Sequence, residues 1–125
     1  MTLRTGIDLC EIARLRQAIE RQGERLLARI FTPVEREQCG GNYASLAARF
    51  AAKEAVGKAL GTGLGPIAFT DIEILRGENR EPCLRLHGKA LERARALNLT
   101  EWAVSLSHTQ EYAAASVVAI GKDET

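Results

Sequence analysis

The chain has 125 residues, 46% hydrophobic and 26% charged, with a formal net charge of +1. That length suits a single domain, 1–125, built on one core, and the composition excludes fibrous, low-complexity and disordered classes. The near-neutral balance argues against a nucleic-acid binder or a polybasic membrane protein, so any charged partner must be met by a local patch.

Residues 2–8 read as a short strand interrupted by Gly6. One helix is expected next, because Ile12, Leu15, Ile19, Leu26 and Ile30 gather on one face at about 100° per residue. Arg14, Arg21, Arg25 and Arg29 fall on a different side within an arc of roughly 80°, which makes a basic ridge. Thr32-Pro33-Val34-Glu35 is a helix start, with Thr32 placed to cap, Pro33 suited to the first helical position and Glu35 able to reach back. Gly40-Gly41 ends that short helix. A longer one is expected from about Asn42 to Leu60, stopped by Gly61. Its many alanines and Gly57 permit close approach of other backbone or of a ligand.

After GTGLGP, residues 69–75 and 83–87 alternate apolar and polar around an RGEN turn and predict a hairpin; 89–97 predicts a helix. Trp102, Val104 and Leu106 alternate with small residues, and a second apolar run spans 112–120, predicting a closing hairpin. The expected order is β-α-α-α-β-β-α-β-β, an α+β fold with a largely antiparallel sheet.

Cys10, Cys39 and Cys83 are odd in number and form no CxxC pair, so neither a disulfide framework nor a zinc site is indicated, and a reducing, cytoplasmic setting fits. The opening residues are charged from Arg4 onward and leave no signal-peptide core; no segment reaches the roughly 18 apolar residues of a membrane-spanning helix.

Several residues could carry chemistry, each with a plainer reading beside it. Glu54 and Lys58 lie four apart on the long helix, the spacing of a surface ion pair. Arg49, Lys53 and Lys58 place three cations on a helix with little exposed area, and buried cations need anions such as Glu54 or phosphates. Asp8 with Glu11 reads as a helix cap and its return partner; alternatively, Asp8 and Glu54 converge as oxygen ligands of a divalent cation. His108 sits at the last turn, where a turn role and a binding role both fit. GTGLG follows a helix instead of opening one, so it reads as a cap and connector.

Taken together, TGIDLCEIARL, RFAAKEAVGKALGTG, FTDIEI and SLSHTQEYAAASVV resemble, in order and spacing over nearly the whole chain, the holo-acyl-carrier-protein synthase family of phosphopantetheinyl transferases. The resemblance implies the 4′-phosphopantetheinyl transferase-like fold and transfer of the phosphopantetheine arm of coenzyme A to a serine of an acyl carrier protein in fatty acid biosynthesis. Asp8 and Glu54 would bind Mg²⁺, Lys58 would join them in catalysis, and Arg49, Lys53, Lys58, Ser107, His108 and Thr109 would contact coenzyme A. Either a metal-bound water or Glu54 could take the serine proton. Arg14, Arg21 and Arg25 would meet the acidic carrier. Family members of this length resemble half of the two-lobed transferases, which implies a homotrimer with sites between subunits. The compact Gly40-Gly41-Asn42 link departs from relatives that carry a longer basic stretch. Two other readings compete: a transferase for polyketide or peptide-synthase carriers, and a coenzyme A or nucleotide-binding module without turnover. Retention of Asp8, Glu54 and Lys58 together favours an enzyme.

Overall fold

The computed structural model describes residues 1–122. The strand β1 (Thr2–Glu11) leads into the helices α1 (Ile12–Gln22), α2 (Glu24–Ile30), α3 (Pro33–Cys39) and α4 (Tyr43–Leu60). A single turn of 3₁₀ helix, Phe69–Asp71, precedes the hairpin β2 (Ile72–Arg76) and β3 (Pro82–Leu86), and α5 (Gly88–Ala96) precedes β4 (Leu99–His108) and β5 (Tyr112–Gly121). All strand pairs are antiparallel, in a three-stranded sheet ordered β1-β5-β4 and a separate β2-β3 ribbon. The α+β architecture is the expected one.

Several boundaries differ from the sequence reading; residues 69–71, expected as strand, form the 3₁₀ turn, and β4 begins at Leu99. The first helix is broken at Gly23, whose φ of +65° lies in the left-handed region and lets the chain turn between α1 and α2. The basic ridge therefore spans two helices, although Arg21, Arg25 and Arg29 still line one surface depression. In addition, β1 runs on to Glu11, because each residue from Thr2 to Glu11 finds a partner on β5. Asp8 is thus a mid-strand residue opposite Ala115 and caps nothing. The residue before α1 is Glu11, which makes no side-chain cap bond.

Elsewhere the local chemistry works as the residue types suggest. Thr32 accepts from the Glu35 amide while Glu35 Oε1 accepts from the Thr32 amide, a full capping box with Pro33 in the first turn. Asn42 caps α4 through Ser45, and Gly61 ends it in the left-handed conformation.

The core forms where α4 lies across the inner face of the three-stranded sheet. Ala47, Ala51, Ala52 and Ala55 of α4 meet Ala113, Val117 and Ala119 of β5, all fully buried. Small residues on both layers let helix and sheet approach closely. At Gly6 the approach is closest: a Cβ there would stand 1.8 Å from the Ala55 carbonyl oxygen. No side chain other than hydrogen fits between β1 and α4 at that point.

Candidate active site

The close contact at Gly6 decides what faces what. Asp8, two residues along the same face of β1, is carried to the part of α4 that presents Glu54 and Lys58. Lys58 Nζ donates to Asp8 Oδ1 at 3.0 Å and to the Ile7 carbonyl at 2.9 Å. The ion pair therefore links α4 to β1, and the simple Glu54–Lys58 surface pair is not what forms. Glu54 is partly buried, and its carboxyl is pushed above the usual range by burial, then by the charge of Asp8, against an opposing pull from Lys58. Three residues drawn from two segments far apart in the sequence thus form one electrostatic cluster.

Such a corner suits a hard cation. Two carboxylates that raise each other's energy are relieved by a divalent ion; the protein supplies two carboxylates here, and among the described residues no three His, Cys, Asp or Glu side chains are arranged to hold a metal by themselves. Two protein carboxylates, with water and phosphate oxygens completing the shell, is the donor set Mg²⁺ favours. Cys10, beside this corner, is held as a thiol: burial, then Asp8, Glu11 and Glu54, push its pKa up to about 11.

A second group assembles on another side of the protein. A cleft of about 420 Å³ is lined by residues that include Arg49, Arg76, Arg80, Ser105, Ser107 and His108. Arg49 donates through Nε to the Ile74 carbonyl at 3.1 Å and through Nη1 to Ser45 Oγ at 2.7 Å, which fixes the guanidinium at the cleft wall. Arg76 and Arg80 carry no binding signal of their own in the sequence, where RGEN reads only as a turn. The one cue is the two arginines flanking that turn; Arg80 also takes a positive φ of 65°, uncommon for a residue with a Cβ. Asp8, Glu54 and Lys58 are not among the lining residues, so the acidic corner and the basic cleft are separate depressions of one chain.

One expected ligand contact, Lys53, is placed otherwise. Lys53 is 0% exposed, and its ammonium donates to Glu35 Oε1 at 2.8 Å, the Phe69 carbonyl at 2.9 Å and the Ile72 carbonyl at 2.5 Å. Burial pushes this lysine below its usual range while Glu35 pulls it back. With all three protons engaged inside the core, it has none for a phosphate. The Thr109 hydroxyl accepts from the amides of Glu111 and Tyr112 and so closes the β4–β5 turn. Arg14 lines a largely apolar groove with Leu15, Ala18, Phe50 and Tyr112, next to β1 residues Leu9 and Cys10.

The family model described as the 4′-phosphopantetheinyl transferase superfamily matches residues 4–117. The chain belongs to that superfamily. A holo-[acyl-carrier-protein] synthase of Moorella thermoacetica is 53% identical to the transferase over 116 residues, covering 90% of each chain. One from Herpetosiphon aurantiacus is 46% identical over 124 residues, covering 94% of this chain and 98% of the relative. Among solved structures, the Helicobacter pylori holo-[acyl-carrier-protein] synthase in complex with coenzyme A superposes with a TM-score of 0.85 at 34% identity, over 93% of this transferase and 99% of that chain.

Proposed function

We propose that the transferase moves the 4′-phosphopantetheine group of coenzyme A to a serine of an apo acyl carrier protein, releasing 3′,5′-ADP, with Mg²⁺ held by Asp8 and Glu54, in support of fatty acid biosynthesis. The observation that carries the metal reading is the meeting of Asp8 and Glu54 beside Lys58, across the Gly6–Ala55 contact. Bound there, Mg²⁺ would supply charge neutralisation for the pyrophosphate and the departing nucleotide. Lys58, partly exposed and held on Asp8, is within reach to hand its ammonium to a phosphate oxygen. Glu54, whose carboxyl is already raised, also has the chemistry of a proton acceptor for the serine. As in other phosphoryl transfers, most of the acceleration comes from positioning and charge stabilisation.

Arg49, Ser107 and His108 bind the nucleotide end of coenzyme A in the basic cleft, with Arg76 and Arg80 adding positive charge. Because acidic corner and basic cleft are separate in one chain, they complete one site only when a neighbouring copy brings its cleft to this corner. The outer face of β1 supports such an assembly: Leu3, Ile7 and Leu9 are 63%, 68% and 61% exposed in the single chain, beside Ala114, Val118 and Ile120 of β5. A homotrimer buries this apolar face. Arg14, Arg21 and Arg25 dock the acidic carrier. A cytoplasmic location accords with three free cysteines.

The test combines the protein with coenzyme A, Mg²⁺ and apo carrier, and follows the carrier by mass spectrometry. The carrier gains the phosphopantetheine mass only with both coenzyme A and the metal present; transfer undiminished by a chelator refutes the metal assignment. Light scattering of the active protein should give a trimer mass, and an active monomer refutes the shared site.

A further inference from the structure

Between Leu46 and Val56, the helix α4 buries no aliphatic side chain larger than alanine: Ala47, Ala48, Ala51, Ala52 and Ala55 leave a nearly smooth surface. Helix packing fixes rotation by lodging large side chains into holes, and a smooth cylinder offers few of them. The proposed metal site nonetheless depends on that rotation. Among the described residues the Glu54 carboxylate makes no hydrogen bond of its own, so its place is set by the backbone that carries it.

The large side chains of this stretch are Phe50, half-buried and stacked on Phe69, and the buried Arg49 and Lys53. Lys53 binds three acceptors on three separate elements: Glu35 on α3, the Phe69 carbonyl in the 3₁₀ turn and the Ile72 carbonyl opening β2. Its principal acceptor is itself immobilised. Glu35 Oε1 also accepts from the Thr32 amide at 2.9 Å, and Oε2 accepts from the Ile74 amide at 2.8 Å. A second carboxylate, Glu73, backs this arrangement through Thr32 Oγ1 at 2.6 Å. In the rotation of α4 that makes these three bonds, the next residue, Glu54, stands close enough to β1 to feel the charge of Asp8.

We propose that Lys53 is a positioning residue for Glu54: the buried Lys53–Glu35 peg sets the rotation of the alanine-rich helix and thereby aims the carboxylate at Asp8. Buried ion pairs are poor sources of stability but can fix one arrangement among several, and a helix whose middle turns bury mostly alanine, with its large apolar anchors at Leu46, Val56 and Leu60, is where such fixing is needed. This inference rests on the reading of Asp8 and Glu54 as Mg²⁺ ligands.

Two variants test it. Lys53→Met removes the peg, and Lys53→Met combined with Glu35→Gln removes both charges so that no bare carboxylate is left in the core. Circular dichroism and thermal melts establish the folded fraction. Calorimetry of coenzyme A binding across a Mg²⁺ titration then reads the site without turnover, and kinetics separate kcat from KM. In the folded double variant the Mg²⁺ concentration for half-maximal coupling is expected to rise about 10- to 100-fold. The value of kcat should fall with it, while KM for the carrier stays put. A double variant with wild-type Mg²⁺ coupling and kcat per folded molecule overturns the inference and leaves the ligand reading standing. A wild-type protein whose coenzyme A binding ignores Mg²⁺ overturns the ligand reading, and the inference with it.

Discussion

Lys53 and Lys58 sit five residues apart on one helix and live in opposite worlds. Lys58 is exposed and holds Asp8 and the Ile7 carbonyl on the face toward β1. Lys53 is sealed in the core against Glu35 and two backbone carbonyls. The exposed cation is free to exchange partners; the buried one is not, because losing a partner would strand a charge away from water. One face of α4 is therefore suited to the proposed chemistry and the other to holding still.

The sharpest way to break this contrast is to neutralise the reactive face. Glu54→Gln and Asp8→Asn are each expected to lower transfer by at least about 100-fold. Glu54→Gln should leave the melting temperature unchanged or raised, since its charge is disfavoured in the folded chain. Steady-state transfer beside a thermal melt checks both halves, and retained turnover in either variant would remove the metal assignment.

Next in size is Gly6→Ala, which affects both faces. Its methyl would overlap the Ala55 carbonyl, so β1 and α4 must part, at a cost of about 1–3 kcal/mol or more in urea unfolding. Mg²⁺-dependent coenzyme A binding should weaken in the fraction that stays folded. Reversing Arg14 and Arg21 to glutamate should touch neither face: KM for the carrier rises about tenfold at low ionic strength and coenzyme A binding is intact. Unaltered carrier kinetics at low salt would discard the docking ridge.

The smallest expected effect belongs to the holding face alone. Burial pushes the Glu73 carboxyl up, but the Thr32 hydroxyl, the His87 ring and the charge of Lys53 together bring it below the ordinary glutamate value of 4.5. A carboxyl with a depressed folded-state pKa contributes stability that is present above its unfolded value and lost as pH falls below it. Chemical denaturation at descending pH should show stability declining below about pH 4.5, with a shallower decline in Glu73→Gln.

Local chemistry was readable in the linear order because it is local. The capping box at Thr32, the cap at Asn42 and the stop at Gly61 need only neighbours three or four residues away, and all three form. What escaped depends on tertiary contacts. The extension of β1 through Asp8 to Glu11 needs β5 as partner, and no pattern within residues 8–11 announces that. The break at Gly23 overrides an apolar periodicity that continues across it. Lys53 carried the same cue as Lys58, a cation on an alanine-rich helix; only the fold shows that Glu35, four residues into a capping motif, turns inward to meet it. Arg76 and Arg80 gain meaning only once the β2–β3 ribbon brings them to the same cleft as His108.

The pairing of β1 with β5 has a consequence for how the protein comes to life on the ribosome. The strand carrying Asp8 is made first, yet its sheet neighbour, Tyr112–Gly121, is the last strand of the described chain to be synthesised. Until those residues emerge, Asp8 has no ladder to hold its register, and a slip of one position would exchange it for an apolar neighbour on the opposite face. A nascent or truncated chain lacking β5 would thus be inert even with Asp8, Glu54 and Lys58 all present, so the site waits on the synthesis of the strand that pairs with β1.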